Sequence, residues 1–367
     1  MKFNITKENF LQPLQKLNSI ISINHENPVM HHIYIHINSN QSYLMSTNLE
    51  IEFRIELNCN TIDQIGEILV SSKKILNIIR SFPKKANIKI IIQKEYIQLT
   101  FQKIFFSLRT LHTNNFPKFA QEKKKVFFYI TQNEFKNIIY NTYFSMAKND
   151  IRNYLNGINI KIKNQKILAI ASDGYRMAIS YVNIKYQPKK TISIIIPRKT
   201  ILELIKILNN TNQMLKIIIH PKSILFIFQN YILTSKMIEN KFPDYQQFLV
   251  KSFTKKIKVN REKLQQSLIR ASIITNQTFQ GVKITFKNTY CTVSTYNENE
   301  EQAKETFEVN DIHNKIELTM NINYILDVIK TIKKENITFL IQENNSNIYI
   351  QYKNIFKAFY IIMPLIL

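Results

Sequence analysis

The chain has 367 residues, 45% of them hydrophobic, enough for several ordinary cores, which excludes a fibrous or disordered protein. Its two cysteines, Cys59 and Cys291, stand apart from any CxxC or His at metal spacing, which argues against a disulfide scaffold or zinc module and suits a reducing cytoplasm. A net charge of +24 invites a phosphate-rich partner. A chain this rich in Lys, Asn and Ile also fits codon usage drifting toward A and T, so charge alone decides nothing.

In chain order, ITKENF at 5–10 sets an aliphatic residue before Thr6 as a helix cap, and Phe10, Leu11 and Leu14 give that helix an apolar stripe. Alternating strand patterns are expected over 33–57. A second helix follows with ILNIIR at 75–80, then further strands over 87–111, FP at 116–117 and a polar linker, QEKKK, at 121–125. The order restarts with ITQNEF at 130–135, where Thr131 and Glu134 form a capping box and Phe135, Ile138 and Ile139 form the stripe. Strands over 158–182, a helix with ILELIK at 201–206, strands over 215–237, FP at 242–243 and a linker at 249–256 complete it. A third start is VNREKL at 259–264, capped by Asn260 and striped by Leu264, Leu268 and Ile269. Strands over 282–309, ILDVIK at 325–330 and strands over 336–363 close the chain.

From Ile75 to Ile201 to Ile325 the steps are 126 and 124 residues, so the spacing is a domain length. The pattern predicts an α+β fold of three tandem copies of a two-helix, antiparallel-sheet domain, at 1–124, 125–250 and 251–367. Like units present like edges, which points to symmetric self-assembly.

The four glycines, Gly66, Gly157, Gly174 and Gly281, are nowhere spaced for GxGxxG, GxxxxGK or GxSxG. Asp173 beside Arg176, and the run Glu298, Glu300 and Glu301, imitate catalytic or metal-binding carboxylates. No His stands near them at ligand spacing, and His31 and His32 would point to opposite faces of a strand. No catalytic residue, metal or cofactor is expected. The opening MKFNITKENFLQPLQ lacks a signal-peptide core, and no stretch approaches the ~18 apolar residues of a membrane span, so a cytoplasmic protein without membrane contact is expected.

SMAKNDIRNYLNG (145–157), ASDGYRMA (171–178), IIPRK (195–199), KFPDY (241–245), FQGV (279–282) and NYILDV (323–328) occur in order. On these motifs the chain resembles the bacterial DNA polymerase III beta subunit, the replication sliding clamp, over essentially its whole length. The resemblance implies a head-to-tail homodimer closing into a ring around duplex DNA, non-catalytic, with the replicative polymerase's catalytic subunit and the clamp loader as partners. It implies loose, sequence-independent phosphate contacts from Lys73, Lys74, Arg80, Lys136, Asn149, Arg152, Arg198 and Lys199, with Lys206 sharing that reading. It also implies an apolar cleft for partner peptides, built from Leu155, Ser172, Gly174, Tyr175, Arg176, Met177, Pro243, Gln247, Phe248, Phe279, Asn321 and Tyr324. The tail residues Met363, Pro364, Leu365 and Leu367 would complete it.

The dimer interface implied sets Lys103, Phe106 and Leu108 against Ile273 and Ile274, with Glu301 and Glu305 nearby. Three positions depart from the family pattern: Asn24 replaces a loop Arg, Gln247 a common cation and Ile366 a frequently basic penultimate residue. The alternative reading is a basic DNA-binding protein with neither ring nor enzymatic activity.

Overall fold

The computed structural model describes residues 1–21, 27–120, 126–249, 253–275, 280–342, 347–352 and 357–365, with backbone alone at 311–314 and 352. Asn24, Phe279, Ile366, Leu367 and the linker at 121–125 therefore lie outside the described residues, as does part of the linker at 249–256.

The first copy runs β1 (Lys2–Thr6), α1 (Lys7–Asn18), β2 (His32–Ile37), β3 (Tyr43–Thr47), β4 (Ile51–Glu56), β5 (Thr61–Gln64), β6 (Gly66–Ser71), α2 (Ser72–Ser81), β7 (Asn87–Gln93), β8 (Tyr96–Phe101) and β9 (Ile104–Leu111). The second runs β10 (Val126–Thr131), α3 (Gln132–Tyr140), β11 (Gly157–Lys163), β12 (Lys166–Ser172), β13 (Arg176–Asn183), β14 (Ile192–Pro197), α4 (Arg198–Ile207), β15 (Met214–Ile219), β16 (Ser223–Phe228) and β17 (Tyr231–Lys236). The third runs β18 (Lys255–Asn260), α5 (Arg261–Ala271), β19 (Gly281–Tyr296), β20 (Gln302–Asn321), α6 (Ile322–Thr331), β21 (Asn336–Ile341), β22 (Ile348–Tyr352) and β23 (Lys357–Ile362). The helix, strands, helix, strands order recurs three times, and all six expected helices form.

Local chemistry explains the boundaries. Asn260 caps α5, its side-chain oxygen accepting from the backbone N–H groups of Glu262 and Lys263 at 3.1 and 3.0 Å. Thr6 occupies the cap position of α1 without a side-chain capping bond, so backbone pairing sets that start: Lys7 N–H donates to the Ala86 carbonyl at 2.8 Å. Phe10, Leu14, Phe135, Ile138, Ile139, Leu264 and Leu268 are fully buried, as the stripes predict. Ile269 is not. It lies 47% exposed, because Ser267 and Ala271 complete the buried face of α5 instead.

The third copy departs from the second. Where the second uses four short strands, the third lays one long hairpin of β19 and β20, irregular between Phe286 and Tyr290.

The chain divides into two compact units, Met1–Asn133 with Leu202–Met237, and Glu134–Ile201 with Ile238–Leu367. Sheet pairing explains the division. In the first unit β17 pairs antiparallel with β4, Leu233 opposite Phe53, so strands of the second copy extend the sheet of the first. In the second unit β13 pairs with β23, Ile179 opposite Phe359, joining the other half of the second copy to the third. Among the described residues the resulting sheets have 13 and 8 strands. Tyr34, Phe53 and Phe226 are fully buried in the first unit, and Phe286, Phe339 and Tyr360 in the second.

Candidate functional site

Within the second unit, a cleft of about 320 Å³ opens beside the β13–β23 junction. Its floor is apolar: Leu155, Phe242, Tyr245 and Ile361 are each under 8% exposed, and Met177 packs against both neighbouring clusters. Tyr175, Met363 and Phe248 form an exposed rim at 62%, 53% and 39%. Two exposed aromatic rings and a thioether beside a hollow are the surface a short apolar peptide would cover.

The turn 172–176 is tightly specified. Ser172 Oγ donates to the Arg176 carbonyl at 2.7 Å and accepts from Gly174 N–H at 3.1 Å. Asp173 Oδ1 accepts from the N–H groups of Tyr175 and Arg176, both at 3.0 Å. Gly174 has φ +95°, a conformation that favours glycine, and a Cβ there would sit 3.0 Å from the Arg152 guanidinium.

Arg176 is the electrostatic centre. Its guanidinium donates to Asp173 at 2.9 Å, to Asp327 at 2.8 Å and to the Phe144 carbonyl at 2.5 Å, and lies 4.4 Å over the Tyr324 ring. Arg152 makes a two-bond pair with Asp150 at 3.0 and 2.9 Å, and that side-chain bonding holds the Asp150 carboxyl down at about 2.

The structure brings together Arg152, Leu155, Ser172, Gly174, Tyr175, Arg176, Met177, Pro243, Gln247, Phe248 and Met363 in one cleft. Four expected cleft residues do not line it. Asn321 caps α6, accepting from Asn323 N–H at 2.9 Å, and Tyr324 reaches the cleft only through the Arg176 guanidinium it supports. Pro364 and Leu365 lie outside the lining, and Leu365 N–H donates to the Thr319 carbonyl of β20 at 2.9 Å. Sequence reasoning missed Tyr154, Phe242, Asp244, Tyr245, Asn347 and Ile361. Tyr154 lies inside SMAKNDIRNYLNG, and Phe242, Asp244 and Tyr245 inside KFPDY, so those four carried a signal; Asn347 and Ile361 carry no local one.

Of the cationic residues, Lys73, Lys74 and Arg80 are exposed on α2, and Lys199 is exposed on α4. Lys136 is half-buried on α3, and Asn149 is exposed in a turn with φ +59°. Arg198 is half-buried and donates to the Met146 carbonyl at 3.1 Å, with burial and then the Arg176 charge pushing its pKa down. Lys206 is paired to Glu203 at 2.7 Å. Arg152 lines the cleft and is paired to Asp150, with its side chain 49% exposed.

At the expected interface, Phe106 packs edge-on against Phe82 at 5.8 Å and Lys103 sits in the turn before β9. Leu108 is half-buried, and Ile273 is 78% exposed just past α5, with Ile274 half-buried. Glu305 is held by Arg270 within its own chain, while Glu301 is exposed. Among the described residues no group of three or more His, Cys, Asp or Glu is placed to hold a metal, and no helix is long and apolar enough to cross a membrane.

Three tandem two-helix, antiparallel-sheet domains with a peptide-sized cleft place this protein in the DNA-clamp class. Residues 1–120, 129–244 and 246–366 match the family models of the N-terminal, central and C-terminal domains of the DNA polymerase III beta subunit. The chain is 34% identical to the beta sliding clamp of Buchnera aphidicola subsp. Rhopalosiphum padi and 30% identical to that of Vibrio cholerae, covering 100% of each chain in both comparisons. It also aligns with the crystal structure of the Pseudomonas aeruginosa DNA polymerase III subunit beta at TM-score 0.95 and 27% identity, with 100% of both chains covered. The chain belongs to the family of bacterial DNA polymerase III beta subunits, the replication sliding clamps.

Proposed function

We propose that two copies of this chain close head to tail into a ring that encircles duplex DNA and tethers the replicative polymerase, with the cleft receiving peptides of the polymerase and the clamp loader. The observation that carries this reading is the threefold domain repeat, matched along its length by sliding clamps. The protein is non-catalytic and works in the cytoplasm, and the three repeats at 1–124, 125–250 and 251–367 are its domains. Strand edges support closure. Over Ile104–Arg109 β9 pairs only with β8, and β20 pairs only with β19, so each has one edge without a strand among the described residues. Ile269 and Ile273 are exposed, and Asn297 donates to both the Ile274 carbonyl and the Glu301 carboxylate, so apolar side chains and a charge come together here.

The test is topological. The protein is loaded by a clamp loader onto nicked circular DNA, which is then cut once and passed over a sizing column. Retention on the circle and loss after cutting is the expected result. Equal, salt-sensitive retention on linear DNA would establish the basic, ring-free alternative instead.

The exposed residues give two further expected results. Replacing Ile273 with Asp places a charge at the proposed interface without touching a core, and light scattering at micromolar concentration should then show monomers where the wild type is dimeric. Replacing Lys73, Lys74 and Lys199 with Ala should flatten the dependence of log K on log salt by about 0.9 for each phosphate no longer neutralised. Arg198 is left intact in that variant because its bond to Met146 would mix a folding effect into the result. An unchanged slope would move the DNA-binding surface elsewhere.

A further inference from the structure

Both arginines lining the cleft are already committed to carboxylates of their own chain. Arg152 gives two nitrogens to Asp150, and the Asp150 N–H and carbonyl are themselves fixed by Asn156 at 2.9 and 2.8 Å. Arg176 gives its nitrogens to Asp173, Asp327 and the Phe144 carbonyl, with its side chain only 11% exposed. A third cation, Lys161, lies 5.2 Å from the Tyr245 ring centroid without lining the cleft. The remaining polar lining includes the neutral Gln247 and Asn347 and one carboxylate, Asp244. Asp244 is exposed, accepts from Gln246 N–H at 3.0 Å, and has no cation within ion-pair distance among the described residues.

Resting on the peptide-cleft reading above, we infer that this cleft selects its partner peptides by apolar anchors and that Asp244 makes it disfavour an acidic residue and favour a cationic one at the rim. A peptide carboxylate entering here meets guanidiniums whose charge is already balanced by resident carboxylates. At Arg176 it would have to displace part of a buried set of three bonds, and at Arg152 it finds only the Nη1 left over from the Asp150 pair, beside a carboxylate whose charge repels it. It would also approach the Asp244 charge. A lysine or arginine on the peptide finds that carboxylate open and hydrated, where an exposed pair is worth only a modest factor. Affinity therefore comes from the floor, and charge acts as a filter.

The experiment uses the full-length protein and three acetylated, amidated pentapeptides that share two leucines and a phenylalanine and differ at one flanking position, Asp, Gln or Lys. Fluorescence anisotropy should rank them Lys, Gln, Asp from tightest to weakest, over a span of about two- to fivefold. Asp244→Asn, whose side-chain oxygen still accepts from Gln246, should collapse that span. Gln247→Arg should raise affinity for the Asp peptide. Tightest binding by the Asp peptide, or equal binding of all three, overturns the charge filter but leaves the cleft reading in place. No binding by any of the three removes the cleft reading and this inference with it.

Discussion

Arg176→Met is expected to cost the second unit about 3 kcal/mol, read as a lower urea midpoint for its transition by circular dichroism. The side chain is nearly the right volume, so packing over Tyr324 and Phe144 is largely kept. The charge is not. Asp173 and Asp327, with side chains 16% and 32% exposed, each give up a bond of under 3 Å, and the Phe144 carbonyl is left without its donor. Removing one partner of a buried pair costs roughly 3–5 kcal/mol, because the other charge stays behind without compensation. The low end applies, since Asp327 is partly hydrated and has Lys330 3.9 Å away. Arg176→Lys should recover only part of the loss, because one ammonium cannot span two carboxylates and a carbonyl as a planar fork does. Adding Asp327→Asn to Arg176→Met should restore some stability. A loss below about 1 kcal/mol in Arg176→Met would mean that the network contributes geometry without stability.

The same residue shows where sequence reading stops. The repeat is legible because amphipathic period, cap residues and alternating strands are local, and ILNIIR, ILELIK and ILDVIK all fall inside observed helices. Ile269 misleads because it continues the stripe of α5 as an aliphatic residue, while the buried positions are taken by Ser267 and Ala271. The two compact units are not legible at all. They arise from β17 on β4 and β13 on β23, pairings between strands of different repeats that no local pattern encodes.

The cleft is half legible. Its turn at 172–176 and the Pro243–Phe248 segment stand out as motifs, whereas Ile361 is one of many isoleucines. The resemblance puts Asn321 and Tyr324 in the wall because their motif travels with the cleft, but their contacts show supporting roles, one capping α6 and one stacking under Arg176. That Arg176 meets Asp327, 151 residues away, needs the fold.

Gly157→Ala should be the most damaging single-methyl change among Gly66, Gly157 and Gly174. Gly157 opens β11 and sits opposite Pro197 of β14. A Cβ placed there would lie 2.4 Å from the Ile196 carbonyl oxygen, 3.1 Å from its carbon and 2.9 Å from Ile195 Cγ2. Two of those atoms are backbone and cannot swing aside. The register is also pinned on both sides, by Ile158 opposite Ile196 and by Arg198 N–H donating to the Asn156 carbonyl at 2.9 Å. Ile195 and Ile196 are 2% and 0% exposed, so β14 cannot move outward without opening the core beneath it. Overpacking typically costs about 1–3 kcal/mol, and weakened ladder bonds add about 1 kcal/mol each, so a loss of about 3 kcal/mol is expected. Two other glycines calibrate this. At Gly174, φ +95° adds strain, but the nearest atoms belong to the flexible Arg152 guanidinium, so Ala there should cost about 1–2 kcal/mol. At Gly66 the contact is the Met1 side chain at 3.0 Å, and Ala should be the mildest of the three. Thermal melts of the three variants should fall in that order. A Gly157→Ala protein that melts with the Gly66→Ala variant would show that β11 and β14 can separate locally, and that the close approach at Gly157 is incidental.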